Sequence, residues 1–191
     1  MKISRGAYPL VFPLPAFLVG TYDESGRPNV MTASWGGIAC SEPPCVSVGI
    51  RPSRWTHAAI LKRKAFTLSI PDSKMDAVTD YVGVVGGKNH DKFAETGLTP
   101  VRSEVVDAPY VGEAPVVVEC ELYNSLELGS HTLFVGRIVD VKYEEGMAGG
   151  GLGLDIAKVD PLLYNSDDHY YRVGERLGKG FSIGKTIKAA K

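Results

Sequence analysis

Val116-Val117-Val118-Glu119-Cys120-Glu121-Leu122 and the run from Thr132 to Tyr143 are the two strongest strand signals in the chain, long and β-branched, and they flank a turn at Gly129. Working outward, apolar β-formers recur in short runs with turn residues between them. Phe17-Leu18-Val19-Gly20-Thr21-Tyr22 reads as a strand closed by Asp23-Glu24-Ser25-Gly26-Arg27-Pro28. Extended character resumes from Asn29 to Ala39, then again at Cys45–Ile50 after Pro43-Pro44, at Phe66–Ile70, and in a short run at Tyr170–Val173. Helices are fewer. The spacing predicts one from Thr56 to Lys64 with a cationic end, one from Ser73 to Val82 with Ser73 as its cap, and one from Asn89 to Thr96 ending at Gly97. Strands at hairpin spacing argue for antiparallel pairing, and the expected architecture is a mainly β closed barrel with a few helices at its rim. No linker separates two cores, so residues 1–191 read as a single domain.

The composition narrows the function classes. With 44% hydrophobic and 23% charged residues the chain is that of an ordinary globular protein. A net charge of −1 provides no global field for nucleic acid or an anionic membrane, so a bound anion must be held by a local cluster of donors. No run approaches the ~18 apolar residues of a membrane-spanning helix. Pro9, Pro13 and Pro15 break up the N-terminal stretch, which lacks the apolar core of a secretory signal. Three cysteines, Cys40, Cys45 and Cys120, suit reduced thiols in a cytoplasm, with a Cys40–Cys45 redox pair as the less common alternative.

Three motif matches fail on mechanism. Gly180-Phe181-Ser182-Ile183-Gly184 matches a nucleophile elbow, but neither an acid nor a histidine follows Ser182. Gly184-Lys185-Thr186 ends like a phosphate-binding loop, yet Lys179 stands where its first glycine belongs. The Gly149–Gly153 run fits the dinucleotide fingerprint in no register, and Glu144–Gly153 reads instead as a mobile loop. The four histidines are too scattered to suggest a metal cage.

Three other segments survive. In Asn29-Val30-Met31-Thr32-Ala33-Ser34-Trp35-Gly36-Gly37, alternation places Asn29, Met31, Ala33 and Trp35 on one face, although an edge strand with scattered polar groups reads the same. Arg51-Pro52-Ser53-Arg54-Trp55-Thr56 is a strand-to-helix turn with hydroxyls, guanidinium groups and free helix-start N–H groups, which suits a phosphate monoester. Taken alone it is equally a helix start capped by Ser53 or Thr56. Gly86-Gly87-Lys88-Asn89-His90-Asp91-Lys92-Phe93 adds two lysines that could reach the same phosphate or simply be solvated.

Together these segments resemble a known family. The order P-N-x-M-T-x-S-W-G-G, P-P, R-x-S-R-x-T and D-K-F-A-x-x-G-L-T-P is similar to flavoredoxin and the flavin reductase-like FMN-binding proteins. Ala114–Cys120, Leu128–Gly136 and Tyr170–Gly174 extend the likeness, which runs from about Ser4 to Lys185. The resemblance implies an antiparallel Greek-key split β-barrel, dimeric, with one non-covalent FMN per subunit near the interface. It implies that Asn29 hydrogen-bonds the flavin, that Trp35 is the aromatic at its ring, and that Met31, Thr32, Ala33 and Ser34 line the ring edge or ribityl chain. Arg51, Ser53, Arg54 and Thr56 match the phosphate turn and Lys92 the lysine beside it. His131 is placed to contact the flavin or an incoming donor, and Tyr164 stands where an aromatic meets the ring. Trp55 replaces a commoner tyrosine, and Gly87-Lys88 stands where Gly-Arg is frequent; both changes keep the chemical type.

A flavin needs a flat wall, a few amide donors and a separate cradle for a dianion, and these residue types supply all three. The resemblance implies an oxidoreductase passing electrons from NAD(P)H or a redox protein to an acceptor through FMN. A reductase that supplies free flavin to a partner enzyme and a non-catalytic flavin-binding module are the alternatives.

Overall fold

The computed structural model describes residues 1–149 and 153–187. In chain order the strands are β1 (Leu14–Pro15), β2 (Phe17–Tyr22), β3 (Pro28–Ala33), β4 (Gly36–Ser41), β5 (Pro44–Ile50), β6 (Ala65–Ile70), β7 (Pro100–Arg102), β8 (Pro109–Val111), β9 (Val116–Leu128), β10 (His131–Tyr143), β11 (Leu163–Asn165) and β12 (His169–Tyr171). The helices are α1 (Trp55–Arg63), α2 (Asp76–Val84), α3 (Lys92–Thr96) and α4 (Ile156–Val159).

Seven strands form one antiparallel sheet in the order β3-β2-β6-β9-β10-β5-β4. Its two outermost strands, β3 and β4, follow each other in the chain, so the Ser34–Trp35 link carries the chain from one edge to the other and curls the sheet into a barrel. The predicted single run from Asn29 to Ala39 is therefore two strands broken at this link. Within it the Trp35 carbonyl accepts from the Gly49 N–H of β5 at 2.7 Å.

The β9–β10 hairpin is the longest element, 13 residues on each side, closed by a two-residue loop with Gly129 at φ +72. Along the first half of β10 burial alternates, with Thr132, Phe134 and Gly136 inward. Gly136 is required there, because a Cβ would stand 2.5 Å from the Phe66 ring and 2.8 Å from Cys120 Cβ. Phe17, Val19, Val48, Ile50, Phe66, Leu68 and Phe134 fill the barrel, while Leu18, Val30, Val82, Phe93 and Val111 join its outer face to α2 and α3.

The helix starts depart from expectation. Ser73 does not cap α2: Asp72 caps a short 3-10 turn at Ser73–Met75, and Ser73 Oγ instead donates to Asp160 Oδ2 at 2.5 Å. The helix expected from Asn89 begins at Lys92, because Asp91 accepts from the Ala94 N–H and fixes the start there. It ends at Gly97, φ +72, as expected.

Glu144–Gly153 contains a 3-10 turn at Glu145–Met147, and its residues 150–152 lie outside the described residues. No strand precedes Gly180–Gly184, so the context of a nucleophile elbow is missing. The three cysteines are free thiols. Cys40 and Cys45 sit opposite each other across β4–β5, the first exposed and the second buried. Among the described residues no helix is long and apolar enough to cross a membrane.

Candidate functional site

Two cavities meet where β3 passes between α1 and α2, sharing Met31, Arg54 and Gly83 as walls. The first, of about 480 Å³, is lined by Met31, Thr32, Ala33, Ser34, Trp35, Arg51, Arg54, His131 and Tyr164. The second, of about 170 Å³, is lined by Asn29, Ser53, Arg54, Thr56 and Lys92 together with Trp55, Gly86, Gly87 and Lys88. Every residue singled out from the sequence thus lines one cavity or the other.

The smaller cavity is built to hold an anion. Helix α1 starts at Trp55 with Arg54 as its N-cap residue, no side chain caps it, and its first turn carries no acid. Capping by Ser53 or Thr56, the alternative left open by the sequence, does not occur. The first N–H groups of α1 therefore retain their capacity for an outside acceptor.

Lys92 is buried at 4% exposure, and its ammonium donates to the Val82 carbonyl at 2.6 Å. Burial, then the charge of Arg54, pushes its pKa down to about 8, against a weaker opposing pull from Glu95. An ammonium has three donors, and no carboxylate forms an ion pair with this one. A buried cation in that state is strongly favoured by an arriving anion. Of the two lysines in this segment, Lys88 is the solvated one.

Asn29 is buried, and its Nδ2 donates to Thr56 Oγ1 at 3.1 Å, which joins β3 to the start of α1. Gly87 packs against it so closely that a Cβ there would stand 2.4 Å from Asn29 Oδ1. Arg27 holds this loop by donating to the Gly87 carbonyl at 3.0 Å.

The larger cavity offers flat walls. Trp35 and His131 stack with ring centroids 4.5 Å apart and planes 29° from parallel. Ser130 Oγ is 2.9 Å from His131 Nδ1. Burial, then the nearby Arg51, lowers the His131 pKa, so the ring is neutral at pH 7. On the opposite side the β11–β12 hairpin presents Tyr164 and Tyr170, with ring centroids 5.5 Å apart. Tyr164 donates to Asp168 Oδ1 at 2.6 Å, which with burial raises its pKa to about 12; Tyr170 donates to Asp80 Oδ1 at 3.2 Å. Thr32 lines the cavity, but its hydroxyl is occupied by the Thr79 carbonyl of α2.

Two placements were not read from the sequence. Arg51 lines the ring-side cavity beside His131, not the phosphate-side cavity with Ser53 and Thr56. Asp80, Gly83 and Val84 of α2 and Tyr170 are wall residues that no motif pointed to as site residues. The small residue at Gly83 was the available signal, since a Cβ there would lie 3.1 Å from Thr32 Cβ.

A family model described as the flavin reductase like domain matches residues 10–174. The chain belongs to the flavin reductase-like family. Flavoredoxin of Desulfovibrio vulgaris (Miyazaki F) is 49% identical, with a TM-score of 0.91 over 96% of this chain and 100% of that one. A flavoredoxin from Methanosarcina acetivorans is 30% identical, with a TM-score of 0.87 over 97% of each chain. An FMN-binding protein from Thermus thermophilus, solved with bound 1-cyclohex-2-enone, is 28% identical, with a TM-score of 0.78 over 94% of this chain and 99% of that one.

This member of the family is thus a flavin-binding redox protein of split-barrel architecture. Its donor set fits such a group: a flat aromatic-walled cavity opens into a smaller one, where a buried ammonium and an uncapped helix start await an anionic tail.

Proposed function

We propose that the chain binds FMN non-covalently, ring in the larger cavity and phosphate in the smaller, and serves as an electron-transfer oxidoreductase of the flavoredoxin type. The observation that carries this reading is Lys92, a buried ammonium beside an uncapped helix start, one cavity away from a stacked aromatic wall. Bound FMN supplies the redox chemistry, taking electrons from a reduced donor such as NAD(P)H or a redox protein and passing them to an acceptor.

The chain's own residues bind and tune. Lys92, Arg54, the Ser53 and Thr56 hydroxyls and the first N–H groups of α1 hold the phosphate. Asn29 is fixed by Thr56 and Gly87 at the junction of the two cavities, where it offers an amide to the ribityl chain or ring edge. Trp35 and His131 form one wall and keep water from it, with Tyr164 facing them across the cavity. Arg51 and Arg54 place positive potential at the ring, favouring its electron-rich state. Neutral His131 contributes no charge to that balance at pH 7.

The homodimer belongs to the same reading. Trp35, Ile38, Tyr123, Leu126 and Leu128 are exposed on the β3–β4 link, β4 and the distal arm of β9. A monomer rarely presents such a cluster to water. The setting proposed is cytoplasmic, where three thiols stay reduced.

The deciding experiment is the visible spectrum of the purified protein, followed by anaerobic addition of NADH or NADPH. A yellow protein whose bound flavin is FMN and bleaches reversibly with a nucleotide or a reduced redox protein supports the reading. A colourless protein that takes up no added FMN overturns it. Light scattering tests the dimer, and a monomer mass removes that part alone.

A further inference from the structure

A third cavity lies beyond the phosphate end. It holds about 240 Å³ along one face of α1, bounded by Trp55, Ala58 and Ala59 on the helix and by Tyr22, Asp23 and Glu24 at the end of β2. Two features join it to the phosphate-side cavity. Trp55 is a wall of both, and its Cδ1 edge lies 3.3 Å from where a Gly87 Cβ would stand. Arg27 spans the same junction: its Nε donates to Asp23 Oδ2 at 3.2 Å and its Nη2 to the Gly87 carbonyl at 3.0 Å. One half-exposed guanidinium is thus bonded to a wall residue of each cavity.

The charge at the rim decides what kind of group fits inside. Burial pulls the Asp23 pKa up, but hydrogen bonds from Ser25 and Arg27 outweigh it, so the net shift is downward and the group is anionic at neutral pH. Glu24 is a second carboxylate, paired with Lys62. Two carboxylates repel a phosphate, so this cavity selects a neutral group. The cations suited to phosphate, Lys92, Arg54 and Arg27, lie on the other side of Trp55 or at the junction itself. The walls are an indole, a phenol and two alanines, which suit a flat aromatic base.

Resting on the flavin reading above, we infer that this cavity takes the adenosine half of FAD. Ring, pyrophosphate and purine then occupy the three cavities in order, with Arg27 at the second phosphate. Trp55 and the floor at Ala58 and Ala59 receive the base. An adenosine bearing a 2′-phosphate, as in NADPH, would bring a dianion against Asp23 and Glu24 and is rejected.

The test is calorimetric titration of the flavin-free full-length protein with FMN and with FAD, in the wild type and in Ala58→Trp. Ala58 is exposed and is no part of the phosphate or ring walls, and an indole there fills the third cavity. We expect FAD to bind the wild type within about tenfold of FMN or more tightly, and Ala58→Trp to weaken FAD by about tenfold or more with FMN unchanged. FAD binding weaker than that limit overturns the inference, as does an Ala58→Trp variant that leaves FAD unaffected or weakens both flavins alike. Failure of FMN itself to bind the wild type removes the flavin reading and this inference together; FMN binding without FAD removes only the inference.

Discussion

The phosphate-side and ring-side cavities share three wall residues, yet they are built on opposite physical terms. The smaller one concentrates its affinity in a few groups already poised in an unfavourable state: a buried ammonium and a helix start without a cap. The larger one spreads its affinity over aromatic faces and strand edges whose polar groups are mostly satisfied by the protein, as Thr32 is by Thr79 and Tyr170 by Asp80. Mutations should therefore separate the two sides. Losses on the phosphate side should be large and specific to the phosphorylated flavin, whereas losses on the ring side should be smaller and appear in the spectrum.

The largest effect is expected at Lys92. A charge-assisted bond contributes about 1.5–3 kcal/mol, so Lys92→Ala should cost about tenfold or more in FMN affinity. Riboflavin, which lacks the phosphate, should bind wild type and variant alike. Equal loss for both ligands would mean that Lys92 supports the fold of the cavity without meeting the phosphate. Thr56→Ala comes next, at roughly two- to tenfold for a neutral hydrogen bond. It also leaves the buried Asn29 Nδ2 without its 3.1 Å partner. Gly87→Ala displaces Asn29 from the other side and should mimic it in an equilibrium titration.

Lys92 also gives the contrast a pH signature. Its folded-state pKa, near 8, lies below the ordinary lysine value of about 10.4, so between these limits the unfolded chain binds more protons than the folded one. The flavin-free protein should therefore gain stability from this group as pH rises from about 8 to 10, while FMN affinity falls by at most about tenfold per pH unit over the same range. Lys92→Met should flatten both slopes. Denaturant melts and FMN titrations at matched pH read the two trends, and slopes of the same sign would break the assignment.

These expectations draw on how differently the two regions could be read beforehand. The phosphate side is local in sequence: Arg51–Thr56 and Lys88–Lys92 each span a strand-to-helix or loop-to-helix turn, where residue type and position carry chemical meaning. Strands announced themselves in the same local way, and Phe17–Tyr22 was read to its last residue. The ring side is assembled from distant pieces. Tyr164 is held by the pairing of Leu14–Pro15 with Leu163–Tyr164, two-residue contacts too short to have any periodicity. Asp80, Gly83 and Val84 reach the cavity only because α2 packs on β3 through the Thr32–Thr79 bond. Arg51 shows the limit within a single motif: three residues from Arg54, it faces the other cavity, because the strand ends at Ile50 and the turn intervenes.

The smallest effects belong to the aromatic wall, and there the two members of one stacked pair should differ. Trp35 is 43% exposed and presents the larger face, so Trp35→Ala should shift the bound flavin's visible bands and loosen the ring by a few-fold, since an aromatic contact contributes about 0.5–1.5 kcal/mol. His131 backs that indole from 4.5 Å, so His131→Ala should cost at most about threefold in FMN affinity, through a less well supported Trp35. The sharper measurement is its pH dependence. Burial and Arg51 hold the His131 pKa below its ordinary value, so the ring is already neutral from pH 7 upward. Its removal should leave the FMN affinity profile between pH 7 and 8 unchanged. A wild-type step in that interval that vanished in His131→Ala would show a histidine that gains its proton when flavin binds. The ring side would then hold a titrating charge of its own, and the separation into a charged end and a neutral wall would fail.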